Sequence, residues 1–560
     1  MEKKDPPSLL EIKKIPSENK VIGQCPLGGV IKIGDRLYWL RHPQFRWNGS
    51  SWGWENDGFG KSDLSEIGYH IKLIPQEETV RLAKEQIDMI KNGILPKDWT
   101  VGIELEGALY DKSGNLISKY DGKQVKIEDD FHPELLSFTI ETATKSSHNK
   151  YPQTSIEITH ALAQAINEGY EIARKRNGLI VYSSVPEAGN FFQAQITPHP
   201  YLLAFAPKVL DFTLKNWSMI PQETKDLYSL LNIDIKQYLT ETGILNWPVQ
   251  ALHIHTGIPQ IDGLVDTRIA YVYGNLRQSL MAKVVSFMLY NTCYLYGVDT
   301  NLLDVRSIAR RLLATTIDSS LPNNAQDLIN EMIRAMEKGL IHSPSRYPPF
   351  GQHDRVRFRA EGQYKTIESI DGPMTPDLRL ILAWVFFNQI LNVVGLEAII
   401  QTGGDETKAL EYLQRRWGNL FLTIPTTGKN SSFEADLIFN QYGYGGIFFG
   451  QSFKQWLINI KQFLELFQQQ YPYFLTQAIT VEKMIENQLA KPGFADLASY
   501  LGIEKGDYQP NGQNLGILTS HKKDLPPKEL IMVQNQATYL QAKILSEIRD
   551  EKDLLAFFDL

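Results

Sequence analysis

The longest apolar stretch of the chain covers residues 381–400 and strongly limits the possible folds. It is long enough to cross a membrane, but it contains Asn388, Gln389, Asn392 and Glu397. Polar side chains of this kind need hydrogen-bonding partners inside a folded protein. The stretch therefore predicts a buried helix of a soluble domain and disfavours a membrane span. A chain of 560 residues, 43% of them apolar, has ample material for the surrounding core.

From Val101 onward, segments with strand-like spacing alternate with longer segments of helical spacing. The strand-like segments carry polar residues at alternate positions. The predicted helices cover residues 154–175, 269–296, 305–316 and 377–400. This mixture predicts an α+β fold, in which helices cover an antiparallel sheet or partial barrel.

Three units are predicted along the chain. Residues 1–95 contain short strand-like runs and a cluster rich in Trp, Gly and Asn, which indicates a small β-rich accessory domain. Residues 96–440 hold the alternating strands and helices of the main domain. Residues 441–560 have mostly helical spacing, including an amphipathic segment at 527–548, so we expect a helical region packed on the main domain.

Charge and cysteine content limit the binding partners and the cellular compartment that we expect. Acidic and basic residues are nearly balanced, with a formal net charge of −7, so no patch indicates nucleic acid or an anionic membrane. We expect small-molecule partners, and a homo-oligomer is left open. Cys25 and Cys293 are too few for a disulfide framework or a thiolate zinc site. The charged N-terminus lacks the apolar core of a signal peptide, which favours the cytoplasm.

The segment 101–109, Val-Gly-Ile-Glu-Leu-Glu-Gly-Ala-Leu, alternates apolar residues with Glu104 and Glu106. A strand would project both carboxylates from one face. Two adjacent like charges repel unless water solvates them or a divalent cation lies between them. For this segment alone, a solvated strand face is the commoner case and a metal site is the alternative.

A second acidic segment, 131–144, places Glu134 and Glu141 among strongly apolar neighbours. Carboxylates in such a setting need a partner. Because the two residues are an odd number of positions apart, one regular strand would put them on opposite faces. Both can reach one site only if the segment bends between them.

Two further strand-like segments carry the other candidate residues. In 251–258, His253 and His255 share one face, so one imidazole could bind a metal and the other a phosphate or nucleotide. A pair of ordinary hydrogen-bonded histidines explains that pattern equally well. In 355–359, arginines alternate with apolar residues, which suits the binding of phosphates or carboxylates, or a solvated edge strand. These residues are Arg355, Arg357 and Arg359, and Glu368 follows in the next short strand.

Taken in order, these segments resemble the glutamate-cysteine ligase type 2 family, also called the carboxylate-amine ligases, which has a glutamine synthetase-like catalytic domain. The resemblance covers about residues 100–400. The matching positions are Gly102, Glu104, Glu106, Glu134, Glu141, His253, His255, Gly257, Asp299, Thr300, Arg306, Thr366 and Glu368. Relatives place an Arg two residues after the last Glu, where this chain has Ile370, so Arg357 or Arg359 would have to supply that charge.

The resemblance implies an ATP-dependent ligase that forms a C–N bond. ATP would convert an amino-acid carboxylate, by default glutamate, into an acyl phosphate, and an amine, by default cysteine, would displace phosphate. Mg²⁺ or Mn²⁺ would neutralise the triphosphate. The resemblance assigns Glu104, Glu106, Glu134, Glu141, His255 and Glu368 to the metal, His253, His255 and Arg357 to the nucleotide, and Arg306, Arg357 and Arg359 to catalysis.

Two other functions are open for the same residues. A phosphotransferase of the same fold group would release a stable phosphorylated product and form no amide. A non-catalytic protein that kept the scaffold but lost the Arg now replaced by Ile370 would bind nucleotide without turnover.

Overall fold

A computed structural model describes part of the chain. The described residues are the backbone of the strands 20–25, 28–33, 36–41, 46–47, 52–53 and 356–359, and the segments 71–118, 136–144, 151–183, 250–290, 322–328 with 330, 365–425, 429–490 and 527–559. The helix predicted at 305–316 and the site residues Glu134 and Arg306 lie outside them.

The described residues contain both strands and helices, and the sheet that carries the predicted site is antiparallel throughout, as in an α+β fold. The strands are β1 (Lys20–Cys25), β2 (Gly28–Ile33), β3 (Arg36–Arg41), β4 (Arg46–Trp47), β5 (Trp52–Gly53), β6 (Ile71–Lys72), β7 (Val101–Tyr110), β8 (Thr139–Ala143), β9 (Leu179–Val181), β10 (Ala251–Gly257), β11 (Gln260–Ile261), β12 (Leu264–Asp266), β13 (Val356–Arg359), β14 (Thr366–Pro373), β15 (Ile447–Phe448) and β16 (Gln451–Ser452). The α-helices are α1 (Gln76–Lys91), α2 (Ser155–Lys175), α3 (Thr267–Arg277), α4 (Leu280–Tyr290), α5 (Leu378–Gln401), α6 (Glu406–Trp417), α7 (Ser432–Tyr442), α8 (Phe453–Gln470), α9 (Leu475–Ala490), α10 (Pro527–Glu547) and α11 (Glu551–Phe557).

One antiparallel sheet, the site sheet, contains the strands that carry the predicted site. Its order is β13-β14-β10-β7-β8, and β9 also pairs with β7. A second sheet has the order β1-β2-β3-β6-β12-β11, so strands from the predicted accessory domain continue into strands from the predicted main domain. The α+β class with an antiparallel sheet is confirmed, whereas the division into three domains stays a prediction.

One face of the site sheet is mainly apolar and is covered by helices. Ile103, Leu105 and Ile254 are fully buried there, and α2 and α5 pack against β7 and β10. Each buried side chain of this size stabilises the fold by about 1.5–3 kcal/mol. Because side chains alternate along a strand, the residues between them, including Glu104, project from the opposite face.

The helices α2 and α5 begin where their first residues are capped. At α2, Thr154 Oγ1 accepts the Glu157 N–H at 3.2 Å, and Glu157 Oε2 accepts the Thr154 N–H at 3.0 Å. At α5, the Asp377 carboxylate accepts the Arg379 N–H at 3.0 Å. Each cap satisfies a backbone donor that the helix itself leaves without a partner. The helices predicted at 154–175 and 377–400 are confirmed.

The apolar stretch forms α5, and its burial is as predicted. By length and composition α5 could cross a membrane, but 94% of its most apolar window is buried inside the protein. Asn388, Gln389 and Asn392 are buried with it. The helix therefore lies at the centre of the main core.

The prediction of one helix at 269–296 is wrong, because α3 and α4 are separate helices that break at Gln278 and Ser279. Residues 291–296 of that prediction lie outside the described residues. At the break, Leu280 N–H donates to Leu422 O at 2.8 Å, and Ile424 N–H donates to Gln278 O at 3.0 Å. Backbone groups bound to a distant segment cannot continue the hydrogen-bond ladder of one helix. Helical spacing in the sequence carries no sign of this pairing.

The described residues after 440 are mostly helical, as predicted. There α9 packs on α5, and α10 packs on α2 and β9. Five rings from this region and the segment before it form a connected set that we call the aromatic cluster. Its members are Phe421, Phe463, Phe467, Tyr471 and Phe474. All five rings are buried.

Candidate metal centre

Glu104 and the two histidines meet on the polar face of the site sheet. In the pairing of β7 with β10, His253 stands directly opposite Glu104, so both project from the same face. His253 Nδ1 lies 3.0 Å from Glu104 Oε2, and His255 Nε2 lies 3.0 Å from Glu104 Oε1. The predicted pair of histidines therefore holds one carboxylate between two imidazoles.

Strand β14 brings Glu368 to the same place. Glu368 stands opposite His255 in the register, and its fully buried side chain places Oε1 3.5 Å from His253 Nδ1. Thr366 Oγ1 lies 3.3 Å from His255 Nδ1, on the other side of the ring from Glu104. Contacts of this kind to the second ring nitrogen orient a histidine that binds a metal. Thr366 is thus a site residue to which the sequence assigned no role.

A β-bulge in β14 lies next to the site. Two residues of β14, Ile370 and Asp371, stand opposite the single residue His253 of β10. A bulge bends its strand and re-aims the neighbouring side chains. Ile370, which replaces the Arg of the resembled family, is therefore a bulge residue.

Glu104, His255 and Glu368 form a cluster that could hold a metal ion. One ligand atom from each lies within 4.8 Å of the other two. Two carboxylates and an imidazole suit Mn²⁺, and carboxylates also suit Mg²⁺. Ligand atoms about 2.1 Å from one Mg²⁺ are at most about 4.2 Å apart, so small side-chain movements would close the cluster around an ion. These residues therefore fit the metal that the resemblance implies.

The imidazoles set the ionisation of Glu104. Burial acts to raise the pKa of Glu104, but the charge of His255 and hydrogen bonds with His253 and His255 outweigh it and hold the pKa well below its usual range. The carboxylate is therefore ionised at neutral pH. A divalent cation competes with protons for such a group of ligands, so the same charges that hold the histidines would attract a metal.

Glu106 and Glu141 lie beside the cluster. They stand opposite each other on β7 and β8, and Glu106 is 4% exposed, so it is not a solvated residue of the strand face. Glu106 Oε2 accepts the Ala251 N–H at 2.7 Å, which ties the start of β10 to β7. Among the described residues, the metal cluster includes neither carboxylate. Their assignment to a metal stays a prediction.

Residues 356–359 of the predicted arginine strand form β13, and Arg355 lies outside the described residues. Arg357 and Arg359 lie on β13, and Arg357 stands opposite Glu368 in the register. Their side chains are outside the described part of the molecule, as are Glu134 and Arg306 entirely. The roles that the resemblance gives these four residues stay predictions.

Packing explains two glycines of the resembled motifs. A Cβ on Gly102 would lie 3.3 Å from the Cβ of His255, and a Cβ on Gly257 would lie 1.6 Å from the Asp98 carbonyl oxygen. Gly257 is therefore required because the backbone before β7 passes directly over β10. Gly102 leaves room for the His255 side chain.

The sequence did not predict the groups that hold the strands of this site in place. The N–H of Ala251 carries no side-chain signal at all. Asn388 and Asn392 did stand out as polar residues in an apolar stretch. Their partners on the site sheet, Ser369 Oγ on β14 and the Gly257 carbonyl oxygen on β10, could not be read from the sequence.

No family model matches the chain, and no curated protein matches it. Among solved structures, the chain is similar to glutamate–cysteine ligase from Francisella tularensis in complex with AMP, with 10% identity and a TM-score of 0.38 over 82% of this chain and 97% of that one. It is also similar to a bifunctional glutathione synthetase from Pasteurella multocida, with 12% identity and a TM-score of 0.37 over 83% of this chain and 54% of that one. These TM-scores are too low to show a shared fold or activity. Membership of the resembled family stays a prediction.

Proposed function

We propose that this protein is an ATP-dependent carboxylate-amine ligase that works with Mg²⁺ or Mn²⁺. The observation that supports it best is the convergence of Glu104, His255 and Glu368, which come from three distant segments and place ligand atoms within 4.8 Å of one another. The order of the sequence motifs supplies the reaction class. The default substrates are glutamate and cysteine.

The first task of such an enzyme is to activate a carboxylate, because its oxygen is a poor leaving group. Transfer of the γ-phosphoryl group of ATP makes an acyl phosphate, and this step requires neutralisation of the triphosphate charge. A divalent cation held by Glu104, His255 and Glu368 would supply that neutralisation. His253, which contacts both Glu104 and Glu368, would keep these two carboxylates in place or contact the nucleotide.

The second task is to hold the activated carboxylate for attack by an amine. A guanidinium binds a carboxylate or phosphate through two parallel hydrogen bonds. We assign this role to Arg306, Arg357 and Arg359. The assignment of Arg357 rests on its backbone position opposite Glu368. The amine nitrogen then attacks the acyl carbon, the C–O bond to phosphate breaks, and the nitrogen releases a proton to solvent as the amide forms.

The reaction is tested by measuring ADP formation from ATP and Mg²⁺ with a panel of amino-acid carboxylates and amines. We expect ADP formation that requires one carboxylate and one amine together. If the folded protein binds ATP and no carboxylate in a broad panel stimulates ADP formation, the ligase proposal is wrong. A stable phosphorylated product without an amide would indicate a phosphotransferase instead.

A matched pair of variants links the activity to the cluster. Glu104→Gln keeps the shape of the side chain and removes its charge, so we expect loss of activity in a protein that circular dichroism shows to be folded. Glu411→Gln makes the same change at an exposed position, where the side chain is 63% exposed, and should keep full activity. Equal activity of the two variants would show that the cluster takes no part in the reaction.

The substrates can be identified from the product. Mass spectrometry of mixtures that contain ATP, Mg²⁺, glutamate and a pool of amines should reveal one amide product whose mass gives the amine. If ATP binds and no product forms with any mixture, the protein is a nucleotide-binding protein without turnover.

A further inference from the structure

A buried arginine lies behind the site sheet, on the side away from the metal cluster. Arg277, at the end of α3, is 4% exposed. Its Nη2 donates to Thr256 Oγ1 at 2.5 Å and to Asn392 Oδ1 at 2.6 Å. Its Nη1 donates to the Tyr273 carbonyl oxygen at 3.0 Å. The guanidinium therefore joins α3, α5 and β10.

A second set of contacts joins α5 to β14. Ser369 Oγ donates to Asn388 Oδ1 at 2.7 Å, and the Asn388 carbonyl oxygen lies 3.4 Å from Arg277 Nη2. We call Arg277, Thr256, Asn392, Asn388 and Ser369 the back network. All five residues are buried, so each of these hydrogen bonds is shielded from water.

The back network holds the two strands at the positions next to the metal ligands. Thr256 follows His255 on β10, and Ser369 follows Glu368 on β14. Because successive side chains alternate between the faces of a sheet, Thr256 and Ser369 point into the core while their neighbours point into the site. The network thus fixes the backbone of both ligands from the opposite face.

We propose that the back network positions His255 and Glu368 at the separation that a divalent cation requires. This proposal rests on the metal centre of the proposed function. Thr256 and Ser369 are positioning residues, since they act through the strand backbone and lie on the face away from the ion.

A gain in stability does not by itself explain such a network. A charged and hydrogen-bonded group in a core is often no more stabilising than apolar side chains of the same volume. Hydrogen bonds, however, fix distances that apolar contacts leave adjustable. A network that bridges the two strands one residue beyond His255 and Glu368 suits the fixing of distances.

The test compares Thr256→Val and Ser369→Ala with wild type by titrating the full-length protein with Mn²⁺ and following free Mn²⁺ by electron paramagnetic resonance. Loss of groups that orient metal ligands typically weakens metal binding by about 10–100-fold. We expect each variant to bind Mn²⁺ about tenfold more weakly. Thr256→Ser retains the hydroxyl and should bind Mn²⁺ nearly as tightly as wild type.

Thr480→Val is the matched control. Thr480 is buried in α9, and its Oγ1 donates to the Gln477 carbonyl oxygen at 2.8 Å. Its loss should lower the melting temperature and leave Mn²⁺ affinity unchanged. A merely structural network would make Thr256→Val and Ser369→Ala behave in the same way, with a lower melting temperature and wild-type Mn²⁺ affinity, and that result would overturn the proposal.

The same titration separates this proposal from the proposed function. If wild type binds Mn²⁺ and the two variants bind it equally well, the positioning role is wrong and the metal centre stands. If folded wild type binds no Mn²⁺ even at millimolar concentration, the metal centre itself is wrong, and the positioning role is wrong with it.

Discussion

The site sheet and the aromatic cluster contain different kinds of side chain. The polar face of the site sheet gathers Glu104, His253, His255 and Glu368, and its other face rests on the buried Arg277. The aromatic cluster contains rings in edge or stacked contact, such as Phe467 and Tyr471 with centroids 4.9 Å apart. Burial of ionisable groups carries a cost, whereas burial of rings stabilises the fold. We infer that the aromatic cluster stabilises the fold, whereas the ionisable groups on the polar face of the site sheet add a cost.

Two carboxylates, the partly buried Glu104 and the fully buried Asp266, show how local partners set a pKa. Two imidazoles contact Glu104, and its pKa lies well below the usual range. Asp266, at the start of α3, is buried, and burial raises its pKa to about 7 against the opposing effects of Thr79, the Arg268 N–H and the Arg268 charge. The first carboxylate is ionised when folded, and the second holds its proton in weakly acidic solution.

The largest effect on stability is expected in the aromatic cluster. Phe463 is 2% exposed and makes edge contacts with Trp417 and Phe421. Phe463→Ala should lower the free energy of unfolding by about 3–5 kcal/mol, because it leaves a cavity. Urea unfolding measures this, and Mn²⁺ affinity should not change. Leu466→Ala, on the same helix at 50% exposure, should shift stability by less than about 0.5 kcal/mol; equal losses would contradict the argument.

At the site sheet, stability should depend on the metal. Mn²⁺ at about one hundred times its dissociation constant should stabilise wild type by about 2.7 kcal/mol, because it binds the folded state alone. Glu368→Gln removes a ligand charge and should abolish this stabilisation. Thermal unfolding with Mn²⁺ and with a chelator measures it. A variant that Mn²⁺ stabilises as much as wild type would exclude Glu368 from the site.

An effect that depends on pH is expected at Asp266. Its ordinary pKa is 3.8 and its folded pKa is about 7, so between these values the folded state holds a proton that the unfolded state has released. Stability therefore falls as pH rises toward 7, by up to about 1.4 kcal/mol per pH unit, and this loss is complete above the folded pKa. Asp266→Asn should flatten this part of the curve of unfolding free energy against pH. An unchanged slope would show that Asp266 is ionised in the folded protein.

The smallest effect is expected where charges are exposed. Arg174 pairs with Glu171 at 2.7 Å on α2, with side chains 74% and 58% exposed. Water screens such a pair, so Arg174→Ala should change the free energy of unfolding by less than about 0.5 kcal/mol. Chemical denaturation checks this. A loss of several kcal/mol would mean that the pair belongs to a buried network.

The sequence by itself determined which residues share a face. Alternation in 101–109 and 251–258 predicted strands that project Glu104, His253 and His255 together, and β7 and β10 do so. Likewise, the polar residues of the apolar stretch predicted a buried α5. These features depend on periods of two or about 3.6 residues, which a short segment contains in full.

Only the tertiary structure decided which faces meet and in what register. The bond between Glu106 and the Ala251 N–H joins residues 145 positions apart, and the break between α3 and α4 depends on pairing with the segment near Leu422. The bulge opposite His253 and the contacts of Arg277 are of the same kind. A hydrogen bond between distant segments depends on how the whole chain packs, so no local spacing encodes it.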